Sequence, residues 1–89
     1  MNTEQFQRLL EQEGFPRPVE VRQVPNDRLS NHEHPFDVKA LVIEGSIDIV
    51  IHGESGTYKA GDVFELGLKE VHSESYGPEG VKYLASRKQ

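Results

Sequence analysis

The feature that most constrains the fold is a pair of consecutive apolar segments in the middle of the chain. Residues 38–43, VKALVI, are apolar at both parities apart from Lys39, which is typical of a strand covered on both faces. Residues 46–52, SIDIVIH, alternate with three isoleucines on one face, and Gly45 separates the two segments. Further short β-rich runs are 19–24, 57–66, 71–76 and 81–87. About seven short strands predict an all-β fold, a small antiparallel β-barrel or sandwich.

Turn residues and one helical segment complete this outline. Turns are predicted at 25–28, 53–56, 61–62 and 77–80. Residues 3–13, TEQFQRLLEQE, place their three apolar residues at i, i+3 and i+4, which predicts a helix. Asn2 or Thr3 can cap the start of this helix, and Gly14 fits the position after its end. We expect residues 1–89 to form one domain, with a short amphipathic helix in 1–14, a barrel in 19–87 and a frayed tail at 86–89.

Composition narrows the classes of function. The chain has 89 residues, and its ten Lys and Arg against fifteen Asp and Glu give a formal charge of −5, which argues against nucleic acid and anionic membranes as partners. No apolar run approaches the roughly 18 residues of a spanning helix, and the polar N-terminus has no signal-peptide pattern. There is no cysteine. We therefore expect a cytoplasmic protein in which any metal is held by His, Asp or Glu.

Two of the four histidines stand one residue apart at the front of the first apolar run. On an extended backbone, His32 and His34 point to the same side, and His72 lies in a later strand that could face them across a small barrel. Three imidazoles form a partial shell for Fe, Zn, Mn or Ni, although a His-x-His pair also arises by chance. His52, beside a predicted loop, is expected to be exposed and chemically idle.

Between residues 26 and 76 the chain resembles the cupin superfamily. The first cupin motif is Gly, five residues, His-x-His, three or four residues, Glu, six residues, Gly; the second contains a glycine and a later histidine. The matching residues are His32, His34 and Gly45 in the first motif and Gly61 and His72 in the second. The resemblance implies a jelly-roll-like barrel that holds a divalent metal through His32, His34 and His72.

The departures from the motifs concern the metal ligands. The cupin glutamate is replaced by Val38, and other motif positions are occupied by Asn26, by Gly67-Leu68-Lys69 and by Tyr76. Asp37 is the nearest carboxylate, but strand parity sends it to the opposite face from His34 unless the chain bulges at Pro35; it could instead cap backbone. Glu74 shares the parity of His72 and could bind the metal or orient an imidazole, or it could be an exposed strand residue.

These observations lead to one leading interpretation and several alternatives. We expect a cupin-like barrel that binds a divalent metal, with a small-molecule ligand as a further partner. A three-histidine iron dioxygenase, a small-ligand sensor without metal and an unmetallated structural barrel are the alternatives. Arg22 and Arg28 could reach the rim of the pocket. We also expect a homodimer, because Leu41 and Ile43 should point outward and one short helix cannot cover every outer apolar residue.

Overall fold

A long two-stranded antiparallel ribbon organises the molecule. The computed structural model describes residues 1–89. Its elements are α1 (Thr3–Gln12), β1 (Val19–Gln23), β2 (Arg28–His32), β3 (Asp37–Ile51), β4 (Glu54–Lys59), β5 (Val63–Leu66) and β6 (His72–Lys88). Strands β3 and β6 pair from Asp37 opposite Lys88 to Ile51 opposite His72. The expected frayed tail is therefore wrong as far as Lys88, because the start of β3 supplies it with a partner strand.

Two shorter strands widen each half of the ribbon. In one half, β1 pairs with the later part of β6 and β5 pairs with residues 38–41 of β3. In the other half, β2 pairs with the start of β6 and β4 pairs with residues 46–51 of β3. The sheet does not close into a hydrogen-bonded ring, but residues from both halves meet in one core. The predicted all-β, jelly-roll-like fold with one short N-terminal helix is confirmed.

The ribbon bends where two glycines face each other. Gly45 and Gly80 both have a φ of 74°, and a Cβ on Gly45 would collide with the carbonyl oxygen of Gly80. The pairing of β3 with β6 shifts register on either side of Gly45, between Val42 and Glu44 and between Gly45 and Ile47. The predicted break at Gly45 and turn at 77–80 are thus irregularities within continuous strands, where residues 77–80 of β6 stand opposite the single residue Ser46 of β3.

The hairpin between β3 and β4 is tighter than the sequence suggested. His52 and Gly53 form a two-residue turn with φ values of 52° and 79°, as in a type I′ hairpin. Most of the predicted loop at 53–56 is instead part of β4. His52 is exposed, as expected. The turns predicted at 25–28 and 61–62 are present at 25–26 and 60–61.

The predicted helix covers part of the outer face of the sheet. Asn2 caps α1 in a reciprocal capping box with Gln5, and Phe6 and Leu10 bury themselves against Leu41. Leu41 does point away from the main core, but the helix covers it, so it is not the free outer residue that the dimer prediction assumed. α1 is neither long nor apolar enough to span a membrane.

A buried lysine fastens the end of this helix. Lys39 is only 6% exposed and forms ion pairs with Glu13, just after α1, and with Glu65 of β5 at 2.9 Å. Burial opposes the charged form, but these two carboxylates outweigh it and raise the pKa of Lys39. The lysine that interrupts the apolar run 38–43 therefore has a structural partner on each side.

Candidate metal centre

Three histidines converge at one end of the fold. His32 ends β2, His34 lies in the connection to β3, and His72 begins β6 directly opposite His32 in the strand pairing. One ring nitrogen from each of the three lies within 4.8 Å of the others. The ring centroids are 4.2 Å apart for His32 and His72, 5.1 Å for His32 and His34, and 5.3 Å for His34 and His72. The three histidines singled out in the sequence thus form one group that could hold a metal ion.

Backbone carbonyls fix the proton position on two of the rings. The Nδ1 of His32 lies 2.7 Å from the carbonyl oxygen of Ser30, and that of His72 lies 2.9 Å from the carbonyl oxygen of Glu70. A carbonyl oxygen can only accept, so each Nδ1 donates its proton. In the neutral ring the lone pair is then on Nε2, which is the arrangement that orients a metal-binding imidazole.

The Nε2 of His72 has no partner in the protein. His72 is 1% exposed, and its Nε2 is the one buried side-chain nitrogen or oxygen that makes no hydrogen bond. Buried polar atoms are almost always satisfied, because leaving one unpaired costs about 1–3 kcal/mol. A cation among the three rings would satisfy this lone pair, so the residues present fit a metal.

His34 is adapted to remain neutral. Burial is the main cause that lowers its pKa, and the positive charges of protonated His32 and His72 would lower it further. Its ring stacks on Phe36 with an angle of 7° between the planes and 5.1 Å between the centroids. Since a metal-bound imidazole must be unprotonated, these surroundings favour the form that coordinates.

A cavity of about 220 Å³ adjoins the histidines. It is bordered by His32 and His34, and eight of its thirteen lining residues are hydrophobic. The remaining polar groups on its wall are the side chains of Gln23, Glu74 and Arg87 and the hydroxyl of Tyr83. The space therefore suits a small molecule with few polar groups.

Glu74 faces the interior, as its parity with His72 predicted. It is 8% exposed, which excludes the alternative of an exposed strand glutamate. Its Oε1 accepts the hydroxyl proton of Tyr76 at 3.1 Å, and burial together with this carboxylate raises the pKa of Tyr76 above its usual range. Glu74 borders the cavity but does not belong to the group of three converging rings.

The other candidates lie away from the cluster. Asp37 is exposed, and its Oδ1 accepts the backbone N–H of Leu68 at 2.8 Å, so it caps the loop between β5 and β6. The bulge that would have turned Asp37 inward is absent, and Val38 instead lines the cavity. Arg22 pairs with Glu20 at 3.3 Å, and neither Arg22 nor Arg28 lines the cavity.

Sequence reasoning missed two polar residues of the cavity. Gln23 ends β1, and Arg87 lies in the segment expected to fray. Arg87 shares strand parity with Tyr83 and Ala85, both buried in the core. The predicted run 81–87 already contained Arg87, so this alternation could have placed it on the inner face. Burial raises the pKa of Tyr83 to about 12, and the charge of Glu74 adds to the effect.

Comparison with known proteins places this geometry in a known fold. No protein-family model and no curated protein matches the sequence. Solved structures do match. A cupin superfamily protein from Desulfitobacterium hafniense has a TM-score of 0.69, with 17% identity over 78% of this chain. An RmlC-like cupin from Shewanella frigidimarina also has a TM-score of 0.69, with 20% identity over 80% of this chain. The Cupin_2 domain of an XRE family transcriptional regulator from Enterobacter cloacae has a TM-score of 0.63, with 16% identity over 79% of this chain.

These likenesses establish the fold. The protein has the cupin fold, and the resemblance stated from its motifs is confirmed at that level. The chain spans 62% and 63% of the length of the first two structures and 77% of the third. Identities of 20% and below leave activity, substrate and partners to be argued from this chain's own residues.

Proposed function

We propose that this protein binds a divalent metal ion through the Nε2 atoms of His32 and His72 and a ring nitrogen of His34, and that it binds a small molecule in the adjoining cavity. The observation that supports the proposal best is the unpartnered, buried Nε2 of His72, which faces two further imidazoles. Three nitrogen donors suit Zn, Fe, Ni or Mn. Three protein ligands leave at least one coordination position for water or a ligand atom.

The arrangement assigns a role to each part of the site. The carbonyls of Ser30 and Glu70 orient two of the rings, and Phe36 holds the third in place. The apolar wall limits the water in the cavity. When bound, the ion supplies positive charge that attracts and polarises a donor atom of the ligand.

Two roles remain compatible with such a site, and one is favoured. A ligand-binding or sensing module is favoured because the cavity holds a single carboxylate, Glu74, already engaged by Tyr76. The structural neighbour from Enterobacter cloacae is likewise a domain of a transcriptional regulator. The second candidate is a three-histidine iron dioxygenase, which the same three nitrogen donors would suit. We further propose a cytoplasmic location and a homodimeric state.

The test is metal analysis of protein purified without a histidine tag. We expect about one divalent ion per chain in the wild type and in His52→Asn, and loss of the ion in His72→Ala, since one of three protein ligands is removed. Equal metal content in the wild type and His72→Ala would refute the proposal. Stoichiometric iron, together with oxygen consumption in the presence of small acids, would favour the dioxygenase over the binding module.

A further inference from the structure

Arg87 occupies a distinctive place on the cavity wall. In the pairing of β6 with β3 it lies directly opposite Val38, and directly opposed residues have Cβ atoms about 4.5–5.5 Å apart with side chains on the same face. Both residues border the cavity. The guanidinium carbon of Arg87 stands 5.3 Å from the ring centre of Phe36, which in turn stacks on His34. Arg87 is exposed overall, but its positive charge lies against Phe36, one aromatic ring away from His34.

This guanidinium has no carboxylate partner in the protein. None of the five ion pairs of the chain includes Arg87, and it makes no side-chain hydrogen bond. Its cross-strand neighbour Val38 is apolar and cannot offset the charge. The face of Phe36 orients the planar group without using its N–H donors. Those donors remain available at the edge of the cavity.

The charges of the cavity favour an anion. Glu74 contributes one negative charge and Arg87 one positive charge, so the protein groups alone balance. A divalent ion on the three histidines then leaves an excess of positive charge. The apolar remainder of the wall and the volume of about 220 Å³ restrict the ligand to a short molecule.

We propose that the cavity binds a small carboxylic acid, whose carboxylate is held by Arg87 while its other end faces the metal ion. The proposal rests on the proposed function, because the excess positive charge comes from the metal. A guanidinium presents paired N–H donors that match a carboxylate bidentately, and such charge-assisted bonds are about twice as strong as neutral ones. The neutral amide of the same acid offers one acceptor oxygen and no charge.

The experiment compares short-chain acids with their amides. Protein loaded with Co²⁺ is titrated with butanoate and with butanamide, and affinity is measured from the paramagnetic broadening of ligand NMR signals. In the wild type we expect the acid to bind about tenfold or more tightly than the amide. Arg87→Met should abolish this preference and leave Co²⁺ uptake unchanged, and the matched control Arg17→Met should retain it.

A second variant and a separate measurement make the outcomes distinct. Arg87→Lys keeps the positive charge but loses the paired N–H donors, and it should weaken the preference for the acid without removing it. Co²⁺ uptake is measured first, without organic ligand. If the wild type takes up no Co²⁺, the proposed function fails, and this inference fails with it. If Co²⁺ binds but the acid and the amide bind equally, or if Arg87→Met keeps the preference, the inference alone is overturned.

Discussion

Replacing His72 by leucine should separate the stability of this protein from its ability to bind metal. Leucine fills a similar space, and it removes the unpartnered Nε2, whose burial costs about 1–3 kcal/mol in the metal-free protein. It also removes the hydrogen bond from Nδ1 to the carbonyl of Glu70, which contributes about 0.5–1.5 kcal/mol. The difference is a net stabilisation of roughly 1 kcal/mol, or about 4–8 °C in Tm for a domain of this size.

Adding metal should make the wild type more stable than His72→Leu. A ligand that binds only the folded state at a hundred times its Kd stabilises it by about 2.7 kcal/mol. We expect this gain in the wild type and none in His72→Leu, measured by thermal unfolding with chelator and with excess Zn²⁺. His52→Asn is the matched control and should behave like the wild type. A His72→Leu protein that is strongly destabilised without metal, or that gains as much from Zn²⁺ as the wild type, would refute the reasoning.

Three further predictions concern the same site and its surroundings. Val38→Glu puts a carboxylate on the cavity wall. The variant should be less stable than the wild type without metal, and its Tm should rise more on adding Mn²⁺. An equal rise in Tm would show that Val38 lies out of reach of the ion. The pKa of His34 is lowered in the folded protein from the usual 6.5, so the unfolded chain takes up the proton first as the pH falls. The metal-free protein should therefore lose stability below about pH 6.5 and His34→Gln should lose less; identical pH profiles in chemical denaturation would contradict this. A homodimer is still expected, although Ile43, the other outer residue of the original argument, is half-buried; light scattering that shows only monomer at high micromolar concentration would exclude it.

The sequence predicted those features that depend on strand parity. His32 and His34 project together because they are two residues apart on extended backbone, and Glu74 follows His72 inward for the same reason. Asp37 was assigned to the outer face by parity, and it lies there. Its inward alternative required a bulge at Pro35, whereas the register shifts of the sheet lie between Leu29 and His32 in β2 and around Gly45 in β3.

Features that depend on contacts between distant segments were not predictable in the same way. Gly45 and Gly80 looked like turn residues, but a Cβ on Gly45 would meet the carbonyl oxygen of Gly80, and a Cβ on Gly80 would meet the carbonyl oxygen of Gln23 at the end of β1. The end of β6 looked frayed because nothing local shows that β3 begins opposite Lys88. The partner of Lys39 in Glu13 likewise appears only when α1 packs on the sheet.

The most direct test of the metal site is anomalous X-ray diffraction from crystals of the tag-free protein soaked with Zn²⁺. We expect one strong anomalous peak among His32, His34 and His72, about 2.0–2.1 Å from the Nε2 atoms of His32 and His72, with their Nδ1 atoms still bonded to the carbonyls of Ser30 and Glu70. No peak between the three rings, or a peak bound through Nδ1 with those carbonyl bonds broken, would contradict the account.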